Sequence, residues 1–197
     1  GSLLNEDSDL VTKYMQYAEL IVKNSTKINI PTEKDLEIKS KVREIVLQKT
    51  KEIEYARDPK SLIKRWYTGW GGECALEIFL GVKFVDFSIG ESLRYDVCDL
   101  SALNLNVGVK SVEKGWFPLL KKPSASSPTR NPQIILIKEN NLTFHMCGLA
   151  DKIAVNHPQN FNDTLVKCKD IRNKSAFYRF DLLKSFKNLK ELKDLTT

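Results

Sequence analysis

Between Arg94 and Ser111 the chain reads Arg-Tyr-Asp-Val-Cys-Asp-Leu-Ser-Ala-Leu-Asn-Leu-Asn-Val-Gly-Val-Lys-Ser, and no other stretch limits the fold so tightly. It reads as two consecutive strands, 93–100 and 105–112, with Asp96 near the start of the first and Lys110 near the end of the second. Paired as a hairpin, they bring a carboxylate and an ammonium into one cleft. Just upstream, Gly71 to Gly81 reads as a short helix on which Glu73 and Glu77, four residues apart, share a face. Carboxylates and a lysine on a helix–strand–strand frame suit a divalent cation and a phosphodiester.

The rest of the chain supplies a setting for that frame. Apolar positions at helical spacing run through 9–23, and a second helix opens at Thr32, where Asp35 completes a capping-box-like pair and the stripe Leu36, Val42, Ile45, Val46, Ile53 follows. Asp58-Pro59 opens a third, shorter helix to about Trp66, and Thr68-Gly-Trp-Gly-Gly is expected to break it before the helix of Glu73 begins. Beyond Gly81 the pattern changes to strands, at 82–88, 93–100, 105–112, 133–138 and 142–149. Glu139-Asn-Asn141 forms the turn of an antiparallel hairpin between the last two. The stretch 114–132 holds four prolines and reads as a long loop, and 175–186 with 189–195 read as a terminal helical region. Two units are therefore expected: a helical region over 1–68 packed on a core over 69–197.

A chain of 197 residues with 42% hydrophobic and 28% charged residues is a globular-protein composition. No apolar run approaches the roughly 20 residues of a spanning helix, and no signal segment is read at the acidic, polar start, so a cytoplasmic or nuclear protein with no membrane association is expected. Cys74, Cys98, Cys147 and Cys168 lack paired-ligand spacing, which argues against zinc, and Cys98 and Cys147 read as buried thiols. His145 and His157 have no ligand partner at useful spacing, and His145 reads as a packed strand residue. Charge is uneven. Residues 1–109 carry 15 Lys and Arg against 17 Asp and Glu, a net of −2, while 110–197 carry 16 against 8, a net of +8. A basic C-terminal half suits a polyanion. Lys114, Trp116, Lys121, Lys122 and Arg130 follow Lys110 in the loop, and Trp70 precedes the Glu73 helix; all six are candidates for phosphate contact or base stacking.

The order helix with Glu, strand, strand with Asp, strand with Lys resembles the restriction endonuclease-like PD-(D/E)XK nuclease superfamily over residues 70–150. Tyr95-Asp96 matches the first part of its motif and Val107-Gly-Val-Lys110 the second, except that Gly108 stands where the superfamily has an acid. The resemblance implies an α/β (α+β) restriction endonuclease-like core, with a mixed central sheet flanked by helices. It implies a Mg²⁺- or Mn²⁺-dependent DNA endonuclease, with RNA left open as substrate, of the restriction, repair or mobile-element kind. Asp96, Glu73 and Lys110 would be catalytic. Asp96 and Glu73, with Glu77 and the Val109 carbonyl assisting, would bind metal, Glu73 replacing the acid absent at Gly108. Asp99, three residues from Asp96, reads as structural or peripheral. Cutting two strands implies a homodimer or a partner subunit. The competing expectation is a catalytically inactive nuclease fold serving as a nucleic-acid-binding or protein-interaction module.

Overall fold

A computed structural model describes residues 3–49, 59–87, 98–125, 128–165 and 174–197. In chain order the elements are α1 (Leu3–Asn24), β1 (Thr26–Asn29), α2 (Thr32–Lys49), α3 (Pro59–Leu80), β2 (Gly108–Glu113), β3 (Leu119–Lys121), β4 (Gln133–Asn140), β5 (Thr143–Ala150), α4 (Lys152–Val155), β6 (Phe161–Asn162), β7 (Lys174–Phe177) and α5 (Leu189–Thr196). Four strands form a mixed sheet in the order β1-β5-β4-β2. The pairs β1–β5 and β5–β4 are antiparallel, and β4–β2 is parallel. A small antiparallel sheet, β3-β7-β6, lies apart from it. The fold is mixed α and β.

β4 and β5 form the antiparallel hairpin that the sequence predicts, with its turn at Asn141–Leu142 because Glu139 and Asn140 extend β4, and every residue of β5 is buried. Period-2 alternation then sends β4 to two cores. Ile134 and Leu136 join α2, α3 and α5 on one face, with Phe144, Leu149 and Leu192 fully buried among them. Ile135 and Ile137 join α1, the small sheet and Phe180 on the other.

Several sequence expectations are corrected. The break at Thr68–Gly72 does not occur, because α3 runs unbroken from Pro59 to Leu80. The two glycines serve close approach instead. A Cβ on Gly71 would lie 2.7 Å from the Phe144 ring, and one on Gly72 would lie 1.6 Å from Ser111 Oγ. Each glycine costs a helix interior about 1 kcal/mol, a cost offset by seating α3 directly on the sheet. The helix then ends where expected, at Gly81, whose φ of +69° needs no Cβ. The expected boundary at residue 68 falls inside α3, and β1 from the N-terminal region is a strand of the main sheet. Residues 82–87 are not a strand: Glu77 Oε2 accepts the Phe84 and Val85 N–H groups at 3.1 and 3.4 Å and turns this segment back along the helix. The expected helix from Ser175 opens instead as β7, because Ala176 and Phe177 are buried against β3 and β6. Finally, the expected strand over 93–100 does not hold at its described end, and 93–97 lie outside the described residues. Residues 98–100 form a turn, Ser101–Leu103 a 3₁₀ turn closed by left-handed Asn104, and β2 pairs in parallel with β4.

Candidate functional site

Among the described residues β2 is the edge of the main sheet, so one row of its backbone groups faces away from β4. Asp99 fills part of that row: its Oδ2 accepts the Val109 N–H at 2.7 Å. The same carboxyl group is hydrogen-bonded to the side chain of Glu73, which reaches it from α3. Two carboxyl groups in contact cannot both stay ionised. Burial, then the Asp99 charge and this hydrogen bond, then Glu77 hold the Glu73 carboxyl well above the usual carboxylate range.

Lys110 stands beside it on β2. Burial first, then the charges of Lys174 and Arg65, pull its ammonium down to about 8, against an opposing pull from Asp99. The strand's alternation decides which way it points. Val107 and Val109 pack with α3, Ser111 lies against Gly72, and Glu113 pairs with Lys64 of α3 at 3.1 Å. Val112 packs in the opposite core. Lys110 therefore leaves β2 on the face away from α3, while Glu73 arrives from the α3 side. Asp99, held at the strand's outer edge, is the group within reach of both.

The sequence-predicted residues fare differently. Glu73 and Lys110 are brought to the two flanks of one strand edge, and Val109 lies between them. Asp96 falls outside the described residues, as does the strand expected over 93–97. Glu77 lies one turn from Glu73, but its Oε2 is engaged by the Phe84 and Val85 backbone. Trp70 is a core residue rather than a stacking platform: it is buried between Trp66 and Phe87, with ring centroids 5.3 and 5.2 Å away. Lys114 and Trp116 are exposed just past β2. Lys121 is exposed and lies directly across from Lys174 in the β3–β7 pair. Lys122 pairs with Asp163 at 2.8 Å, and Arg130 Nε donates to the Lys122 carbonyl at 3.0 Å, so these two cations brace the proline-rich loop.

Asp99 is the residue that sequence reasoning missed. An unbroken strand over 93–100 would put it on the face opposite Asp96, and that parity argument fails because residues 98–100 turn. The signal was present in Asp99, Ser101 and Asn104, turn formers at close spacing.

Both carboxyl donors are hard oxygen ligands suited to Mg²⁺ or Mn²⁺, and Glu73 is the desolvated one of the two. Among the described residues, no group of three or more His, Cys, Asp and Glu side chains could hold a metal ion. A cation there would need a further donor, such as the Val109 carbonyl. No helix of the described residues is long and apolar enough to cross a membrane. Compared with family models, curated proteins and solved structures, the chain finds no match.

Proposed function

We propose that this chain is a Mg²⁺- or Mn²⁺-dependent nuclease of the restriction endonuclease-like kind, hydrolysing phosphodiester bonds in DNA at the edge of β2. One observation carries the reading: the Glu73–Asp99 carboxyl pair, held by the Val109 N–H, stands next to a half-buried lysine of perturbed basicity. Perturbed titratable groups gathered at one place mark a candidate functional site. The resemblance of residues 70–150 to the PD-(D/E)XK nucleases supports the same assignment, with Asp99 in the acidic role beside Glu73 and with Asp96 as a further acid.

Glu73, Asp99 and the Val109 carbonyl would hold the cation, which when bound supplies Lewis-acid polarisation of the scissile phosphate and a more acidic water. Glu73 would offer its carboxyl oxygens to the cation from the α3 side. Asp99 is oriented by the Val109 N–H, which leaves its second oxygen to the site. Lys110 supplies positive charge to the phosphoryl oxygens as negative charge builds on them, a contribution of about 3–4 kcal/mol for one well-placed donor. The basic C-terminal half draws the polyanion in. A second active site, from another copy or a partner subunit, would be needed to cut both strands. The test is thermal unfolding with and without Mg²⁺ or Mn²⁺. The cation should raise the melting temperature of the unmodified chain, and Glu73→Gln should remove the increment while leaving the cation-free protein folded.

A second reading has its own observation. Lys110 and α3 lie on opposite faces of the sheet, and Gly108 carries no acid. An inactive nuclease-like fold used to bind nucleic acid or protein would show both. Salt-dependent DNA binding without cleavage or cation-induced stabilisation would favour it.

A further inference from the structure

A cavity of about 730 Å³ opens beside the start of β2, within the roughly 300–1,000 Å³ of small-molecule sites. Segments far apart in sequence wall it: 103–107, 131–132, 151–153, Lys184 and the end of α5. Backbone bonds hold these walls in place. The Leu100 N–H donates to the Val107 carbonyl at 3.1 Å, and the Gly108 N–H to the Pro132 carbonyl at 2.9 Å. Lys184 and Leu149 exchange both of their backbone bonds, at 2.9 and 2.8 Å. Gly148, at a φ of +136°, leaves room for that approach, because a Cβ on it would lie 2.8 Å from the Lys184 carbonyl oxygen. Glu73, Asp99 and Lys110 do not line the cavity.

The lining is basic, aliphatic and amide-bearing at once. Lys152, Lys184 and Lys193 bring three ammonium groups to it, and Asp151 brings its one carboxylate side chain. That carboxylate is already committed: Oδ2 pairs with Lys184 at 2.8 Å, and Oδ1 accepts the Ala154 N–H at 2.8 Å. Lys152 and Lys193, both exposed, leave the lining with surplus positive charge. Ile153, 73% exposed, adds aliphatic surface together with Leu195. Asn104 and Asn106 add side-chain amides, each able to donate and to accept.

We infer that this cavity binds a nucleotide, with the phosphate drawn to Lys152 and Lys193 and the base laid against Ile153 and Leu195. A phosphate answers the surplus of ammonium groups. A flat base answers the aliphatic surface, and its edge offers the donors and acceptors that asparagine amides pair with. The nucleotide comes free or as one unit of a strand, and the chemistry of recognition is the same. The inference is independent of the carboxyl pair at the edge of β2, since a chain that cuts nothing could hold a nucleotide here.

The experiment is calorimetric titration of the full chain with AMP and UMP, and with adenosine, uridine and inorganic phosphate as their parts. Chelator is present throughout, and thermal melts show that each variant folds. At least one nucleotide should bind more tightly than its own nucleoside and than phosphate. Lys152→Gln with Lys193→Gln should weaken that nucleotide by at least about tenfold, the loss of one hydrogen bond to a charged group, and should leave the nucleoside little changed. Ile153→Asp, at an exposed position, should weaken nucleotide and nucleoside alike. A deoxyadenylate hexamer separates the two sources: binding tighter than AMP, and weakened by the same variants, identifies a strand segment, whereas binding no tighter than AMP identifies the free nucleotide. No binding of AMP, UMP or the hexamer overturns the inference. Phosphate bound as tightly as either nucleotide overturns it too, since the cavity would then take an ion only. Nucleotide binding unchanged by the lysine variants places the nucleotide elsewhere and is equally fatal.

Discussion

β5 and β2 belong to the same sheet and could hardly be more different. β5 is paired on both sides, by β1 and by β4, and all eight of its residues are buried. Among the described residues β2 is paired on one side, and only its Gly108 is fully buried, its other five residues being half-buried. The inner strand is an apolar anchor with few choices. The edge strand carries a lysine and a glutamate, keeps an unpartnered buried hydroxyl at Ser111, and offers a backbone N–H that Asp99 captures. The lesson is physical. Side chains of unlike polarity can be brought together without closing a ladder only where the ladder stops. A free edge invites unwanted pairing, and here the row is blunted by a carboxylate.

The contrast can be broken at either strand. The largest effect is expected at the edge: Lys110→Ala should reduce cleavage by about a thousandfold, the loss of one transition-state donor, while DNA affinity changes little. Retention of normal cleavage in a preparation free of contaminating nuclease would remove Lys110 from the chemistry. At the inner strand, Phe144→Ala should cost about 3–5 kcal/mol of stability by opening a cavity under α3, read by denaturant unfolding. A loss of under 1 kcal/mol would mean that α3 does not depend on this ring.

Between the two strands lies the seat of α3. Gly72→Ala should destabilise by about 1–3 kcal/mol through overpacking on Ser111, and adding Ser111→Gly should recover part of that loss. If the second change recovers nothing, the close approach of α3 to β2 is not what demands the glycine.

The edge should also reveal itself through pH. Glu73 titrates above the usual carboxylate range in the folded chain, so the folded state holds a proton that the unfolded state has released. Its contribution to stability is complete below the unfolded carboxyl range and is lost as pH rises towards the folded value. Glu73→Gln removes that loss and should stabilise the cation-free protein more at neutral pH than at pH 4. A gain that is equal at both pH values would contradict the raised Glu73 titration. The smallest effect is expected at Lys121: its neutralisation should make the salt dependence of DNA binding shallower by about one unit without changing the saturated rate.

What could be read in the sequence follows the same division. The β4–β5 hairpin, the opening of α2 at Thr32 and the stop of α3 at Gly81 were legible because each depends on local pattern: alternation around a turn, a cap, a glycine. Glu73 and Lys110 were legible as residue types in an order. The edge was not. The parallel pairing of β2 with β4 depends on contacts 25 residues away in sequence, Gly108 with Gln133, and no local pattern encodes it. The strand expected through Asp99 was not legible as a turn, because alternation alone does not show where a strand stops. Gly71 and Gly72 looked like a helix break because the Phe144 ring and Ser111, which make glycine necessary there, lie far along the chain.

The central claim is that the carboxyl pair and the lysine at the edge of β2 cut nucleic acid with a divalent cation. The direct measurement is incubation of supercoiled plasmid with purified chain, with Mg²⁺, with Mn²⁺ and with chelator, alongside Glu73→Gln, Asp99→Asn and Lys110→Ala of verified fold. Nicking or linearisation that requires the cation and disappears in all three variants is the predicted result. Plasmid left intact under every condition, or cut equally by Asp99→Asn, would contradict it.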